Sequence, residues 1–182
     1  SYILLFIHNC YIIILTSKES HSLADLTAME SPSALMMIGI PGSGKSTIAA
    51  QIGELLNIQI LSSDECRREI SGDANDQSVS REAWAMVYDR ARQSIEQGHS
   101  VIIDGTHTNA EMRRRDINQY RQYGARAVIG IYVQTDTESC IERNTQRDRV
   151  VPEFVIRNMQ IGIDRYPPST QDGFDYIIPV VN

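Results

Sequence analysis

The stretch Gly39-Ile40-Pro41-Gly42-Ser43-Gly44-Lys45-Ser46-Thr47 satisfies the spacing G-x-x-x-x-G-K-S/T, and its flanks supply the context that spacing needs. Before it runs Leu35-Met36-Met37-Ile38, a short apolar run that reads as a buried parallel strand. After it, Ile48, Ile52, Leu55 and Leu56 recur at i, i+4, i+7 and i+8, the pattern of an amphipathic helix. A strand, a glycine loop and a helix set bare backbone N–H groups and a helix N-terminus against an anion. Gly39, Pro41, Gly42, Ser43, Gly44, Lys45, Ser46 and Thr47 are therefore the candidate contacts for the phosphates of a nucleotide such as ATP. Lys45 would reach the terminal phosphates, and the Ser46 hydroxyl would ligate Mg²⁺.

Working outward, apolar runs alternate with helical patterns. Ile58–Leu61, Val101–Ile103, Ala127–Val133 and Asp175–Ile178 read as further strands. Asn57 suits a left-handed C-cap, and Ser80 can N-cap a helix with Trp84, Val87, Tyr88, Ala91 and Ile95 on its apolar face. Trp84 and Tyr88 could stack on a base, but on that stripe core packing is their expected use. Residues 71–80 are polar and read as a mobile surface loop. Thr108 and Glu111 have capping-box spacing, Asp136 opens a helix, and Pro152 suits the first turn of another. The expected fold class is α/β: a three-layer P-loop NTPase whose five-stranded parallel sheet is covered by helices on both faces.

Ligands of such sheets sit beyond the carboxyl ends of the strands, which selects the glycine loop, residues 62–68 and residues 104–107. Asp64 can accept a proton from a hydroxyl that attacks a phosphate; the plain alternative is a helix N-cap. Arg67, one turn on, can face the same cleft. Asp104 falls where an acidic group would hold Mg²⁺ through water or orient Ser46; the plain alternative is an Asp-Gly turn at the strand end. Arg143, Arg147 and Arg149 cluster before Pro152, and the first two can act together on phosphate charge; the plain alternative is a solvated charged helix face. Arg113-Arg114-Arg115 points around a helix and reads as a plain cluster. His107 reads as structural, without an evident partner.

The bulk numbers fit one soluble domain of 182 residues. A formal net charge of −6 argues against a broad basic coat for nucleic acid. Cys10, Cys66 and Cys140 are far apart and fit free thiols in a reducing, cytoplasmic setting, with no zinc site. Tyr2–Leu15 is apolar but only 14 residues long, against about 20 for a membrane span, so no membrane partner is expected. Its Ile and Tyr content suits an added strand better than a helix. Residues 1–33 read as an extension and polar linker, and 34–182 as the catalytic domain. The functional chain is expected to start near Met29 or Met36, and loss of residues 1–30 to leave stability nearly unchanged.

Together, GIPGSGKST, Ser63-Asp64-Glu65-Cys66-Arg67, VIIDGTHTNAEMRRR and ERNTQRDRVVP resemble the small P-loop kinases of the AAA type typified by the kinase domain of phage polynucleotide 5′-hydroxyl kinase. The resemblance covers most of residues 35–159. It implies Asp64 as general base, Arg67 as a contact for the acceptor's phosphate, Thr106 close to the acceptor, and Arg147 as a lid arginine on the donor phosphates. Lys45 and Ser46 keep their phosphate-loop roles. On the acceptor side Ser63, Glu65 and Cys66 depart from the family's residues, and Asp104-Gly105-Thr106 carries its acidic group one position earlier. The activity implied is ATP-dependent transfer of the γ-phosphate to a polynucleotide 5′-hydroxyl. The same chemistry on a small alcohol, such as a nucleoside, sugar or antibiotic, and an NTP-hydrolysing switch are the alternatives.

Overall fold

The structure, a computed structural model, describes residues 2–7, 10–15, 23–147 and 150–182, those before residue 25 by their backbone alone. Arg149 and part of the expected linker, residues 16–22, lie outside the described residues. The core strands are β3 (Ser33–Ile38), β4 (Gln59–Ser62), β5 (Val101–Asp104), β6 (Ala127–Gln134) and β7 (Tyr176–Val181). They run parallel in the order β7-β6-β3-β5-β4, so the strand feeding the glycine loop is central. This is the five-stranded parallel sheet that the alternating pattern predicts.

Every residue of β3 is buried, as a central parallel strand requires. The period-2 alternation divides them. Leu35 and Met37 pack with Ile48, Ala49 and Ile52 of α1 (Lys45–Leu56) on one face. Ala34, Met36 and Ile38 meet Ala83, Val87 and Ala91 of α3 (Ser80–Glu96) and Ile117 and Tyr120 of α4 (Ala110–Gln122) on the other. Helix α2 (Ser63–Ser71) follows β4 directly. Two further helices, α5 (Thr137–Thr145) and α6 (Glu153–Arg165), form a hairpin with its own apolar cluster of Ile40, Cys140, Ile156 and Ile163.

Local capping differs from expectation at three helices. Asn57 takes the left-handed C-cap of α1, at φ 52°. Ser80 is the first residue of α3, not its cap. The cap of α4 is Asn109, whose side chain accepts from Met112 N, in place of Thr108. The cap of α2 is Ser62, which accepts from Asp64 N. A shift of one or two residues is enough to exchange such candidates, since Ser, Thr, Asp and Asn all cap well.

The N-terminal run forms two strands, β1 (Tyr2–Ile7) and β2 (Cys10–Leu15), paired antiparallel. β2 continues the sheet beside β7 through Ile13 and Val181. Residues 23–28 form a 3₁₀ turn whose Leu26 is 3% exposed and packs in the α1-side core, with Met29 against the same cluster. Leu26, within the stretch read as a polar linker, is therefore a core contact. A chain beginning at Ser31 should unfold at lower urea than one beginning at Leu23, by roughly 2–5 kcal/mol for the lost leucine burial. Equal midpoints would refute this. No helix among the described residues is long and apolar enough to cross a membrane.

Candidate functional site

The carboxyl ends of β3, β5 and β4 lie side by side, and Ser62 at the end of β4 is in register with Asp104 at the end of β5. Between β3 and α1 the glycine loop is held from three sides. Gly39 N donates to the Thr106 carbonyl at 3.0 Å. The Ser43 carbonyl accepts from Thr135 Oγ1 and from Asn182 Nδ2, each at 2.9 Å. Gly42, at φ +84°, lies against the backbone of Cys140, where a Cβ would stand 2.2 Å from the carbonyl oxygen. No side chain fits there, which explains that glycine better than turn geometry alone.

Lys45, the first residue of α1, is buried and folds back on the loop, donating through Nζ to the Ile40 carbonyl at 2.7 Å. Burial pulls its ammonium down to about 8, Asp104 opposing this and Arg147 adding to it. Asp64 sits in the first turn of α2, where an acidic side chain suits the helix dipole. It is ion-paired to Arg67, with side chains 43% and 4% exposed respectively. Arg67 also donates through Nε to the Ala74 carbonyl at 2.9 Å, so its head is oriented by the loop after α2.

These groups line one cleft of about 510 Å³. Of the residues singled out from the sequence, Pro41, Gly42, Gly44, Lys45, Ser46, Thr47, Asp64, Arg67, Asp104, Thr106, Arg143 and Arg147 are in its wall. Gly39 and Ser43 are not. Gly39 borders a different hollow beside Tyr132 and Asp164, and Ser43 is buried beneath the loop. Arg143 and Arg147 are exposed, and Asn144 between them is buried. The Asn144 amide bonds both the carbonyl and the N–H of Val151, at 2.8 and 3.1 Å, and so closes the base of the α5–α6 connection.

Ser46 and Asp104 offer hard oxygen donors on the cleft wall, the chemistry that Mg²⁺ prefers when phosphate oxygens and water complete its shell. Among the described residues no cluster of three or more His, Cys, Asp or Glu could hold a metal on protein ligands alone. A metal here would depend on the nucleotide.

Behind the cleft, one residue keeps its structural reading and gains a partner, and one departs from its reading. His107 is buried and pairs through Nδ1 with the Met37 carbonyl at 2.7 Å, so its structural partner is a backbone group 70 residues away. Arg113, expected in a plain surface cluster, is fully buried. It pairs with Asp172 at 2.8 Å and donates to the carbonyls of His107, Thr108 and Tyr166. Sequence reasoning missed Gln77, Ser80, Val151, Val155 and Met159 in the wall, and it offered Trp84 as a stacking ring while expecting it in the core. Val155 and Met159 were findable, since i, i+4 spacing puts both on one stripe of α6.

A family model described as an AAA domain matches residues 35–165. Uncharacterized proteins of Mycobacterium tuberculosis and Mycobacterium bovis are 36% identical over 88 residues, a match covering 41% of this chain and 18% of theirs. Among solved structures, a putative kinase from Chloroflexus aurantiacus superimposes with TM-score 0.66 at 18% identity, covering 84% of this chain and 89% of the other. A chain of the Pnkp1/Rnl/Hen1 RNA repair complex gives TM-score 0.67 at 22% identity, covering 88% of this chain and 50% of that one. Shikimate kinase from Acinetobacter baumannii gives 0.51 at 21% identity, with 84% and 86% covered. At these identities the structural likeness establishes the shared fold.

Proposed function

The chain belongs to the AAA domain family over residues 35–165 and carries the P-loop kinase fold, and from that premise we propose that it transfers the γ-phosphate of ATP to a hydroxyl acceptor. The observation that carries this is the meeting of Lys45, Asp64, Asp104 and the Arg143–Arg147 pair in one cleft. In this reading Lys45 and the loop N–H groups hold the donor phosphates, and Arg143 and Arg147 close over them from the lid. Asp64 takes the proton from the attacking hydroxyl while Arg67 holds it in place. Ser46 and Asp104 would hold Mg²⁺, which neutralises phosphate charge when bound. Thr106 borders the acceptor.

A nucleic-acid 5′-hydroxyl is the acceptor we favour, because Arg67 beside Asp64 offers a cation next to the reacting hydroxyl for the neighbouring phosphate. The small-alcohol reading draws on the net charge of −6, which gives a polyanion no long-range attraction. A hydrolytic switch is disfavoured, since a paired Asp64 and a lid of arginines suit a bound acceptor better than a free water. ATP consumption with 5′-hydroxyl oligonucleotides and with small alcohols tests all three. Acceptor-dependent turnover is expected; steady hydrolysis indifferent to every acceptor would overturn the kinase reading.

The depressed Lys45 gives a pH signature. Above about 8 the unliganded lysine is increasingly neutral, and phosphate binding must return its proton. ATP affinity should thus fall by up to about tenfold per pH unit above pH 8. Lys45→Met should bind ATP weakly with no such slope. Calorimetric titration at pH 7 and 9 checks it, and the same slope in the variant would remove Lys45 from the donor site.

A further inference from the structure

We infer that Trp84 is the platform on which a nucleobase of the acceptor stacks, beside the hydroxyl that Asp64 deprotonates; this rests on the kinase reading above. Trp84 does not disappear into the core as its helical stripe implies. It is partly exposed and lies in the cleft wall, while Val87, Ala91 and Ile95 of the same stripe are buried. Its ring is braced from behind by Tyr88, centroids 5.8 Å apart, and meets His107 edge-on at 5.9 Å. Tyr88 in turn is fixed by its hydroxyl to Asp116 at 2.9 Å.

The glycine at 105 is what admits this ring. Its backbone is not in the left-handed region, so conformation does not demand glycine there. A Cβ at that position would lie 2.9 Å from Trp84 Cη2 and 2.8 Å from His107 Cε1. Gly105 thus lets the indole rest directly on the strand end that carries Asp104 and Thr106. The departure Asp104-Gly105-Thr106 and the aromatic at position 84 are two halves of one surface.

The rest of the wall fits a flat ring with a polar rim. Gln77 and Ser80, hydrogen-bonded to each other at 3.2 Å, border the cleft beside Trp84. The stripe of Val151, Val155 and Met159 gives the lid side an apolar wall. Aromatic and apolar walls with a few rim hydrogen-bond groups are how proteins hold a single base without reading a duplex. Arg67 adds one cation next to the reacting hydroxyl. The chemistry shared by a free nucleoside and by the terminal nucleoside of an oligonucleotide, a base beside a hydroxyl, is what this surface takes.

Trp84 is the single tryptophan of the chain, so its emission reports the platform directly. With the donor site saturated by an ATP analogue that cannot transfer phosphate, a nucleoside and a 5′-hydroxyl trinucleotide are titrated in turn. A base-free sugar alcohol serves as comparison. Quenching by either base-bearing acceptor, stronger than by the sugar alcohol, supports the platform, and the tighter of the two identifies the source. In turnover, Trp84→Leu should lower the preference for base-bearing over base-free acceptors by about 5- to 100-fold, through KM more than kcat. Trp84→Phe should restore most of it, which a merely structural role would not give. Gly105→Ala, which displaces the ring without removing it, should shift the emission and raise the same KM. Emission unmoved by both base-bearing acceptors, or quenched fully by the donor analogue alone, overturns the inference. Either result leaves the kinase reading intact if Asp64→Asn still abolishes acceptor-dependent turnover.

Discussion

Asp64→Asn is expected to slow phosphoryl transfer by about 10²–10⁴-fold, the usual cost of losing a general base, while ATP affinity stays within twofold or so of the parent. From the sequence, the competing explanation of Asp64 was a helix cap, and Asn caps as well as Asp. The fold removes that explanation, because Ser62 is the cap of α2 and its hydroxyl already accepts from Asp64 N at 3.2 Å. Asp64 instead stands two residues further in, half exposed to the cleft and paired with Arg67. Amide replacement keeps the size and a hydrogen bond to Arg67 but cannot take up a proton. Arg67 stays anchored through the Ala74 carbonyl, so the melting temperature should move little. Slow hydrolysis without acceptor should be unaffected, since it does not use the acceptor's proton. Arg147→Ala provides the contrast: it removes a cation from the donor side, so ATP binding should weaken together with transfer. Transfer at the parental rate in Asp64→Asn, measured with any competent acceptor, would end the assignment.

Arg113→Ala is expected to destabilise the protein by about 3–5 kcal/mol, the cost of leaving a buried charge and several buried carbonyls without their partner. Its guanidinium is 0% exposed and ties α4 to the His107–Thr108 loop, to the end of α6 at Tyr166, and to Asp172 in the turn before β7. Asp172, 4% exposed, would keep Arg114 at 3.1 Å. For a domain of this size the loss corresponds to a fall of roughly 6–20 °C in melting temperature. Arg113→Lys should recover little, because one ammonium cannot reproduce a planar fork serving four acceptors. Arg114→Ala, at a side chain 55% exposed, should cost far less. Urea unfolding read against ATP binding separates this structural role from a catalytic one. A midpoint for Arg113→Ala close to that of Arg114→Ala would refute it.

The sequence by itself determined the parts whose physics is local. The glycine loop needs close backbone approach, and Leu35–Ile38 and the α1 stripe are periodic. The alternation of strand and helix patterns then requires a parallel sheet covered on both faces. Because ligands of such sheets gather at the strand ends, Lys45, Asp64, Asp104 and Thr106 were legible as one group before any coordinates. What only the tertiary structure decided are choices among chemically equal candidates. Arg113, Arg114 and Arg115 are the same residue three times, and which one is buried depends on Asp172, 59 positions later. Trp84 fits a core stripe as well as a cleft wall until Gly105 is seen to leave room beneath it. Asn182 steadies the Ser43 carbonyl across 139 positions, a pairing no window of sequence contains. Leu26 looked like part of a polar linker because one leucine in a polar stretch has no period to read, yet the α1-side core closes over it. Periodicity tells which face of an element is apolar, whereas the partner of a single polar or aromatic side chain is set by packing between elements distant in the chain.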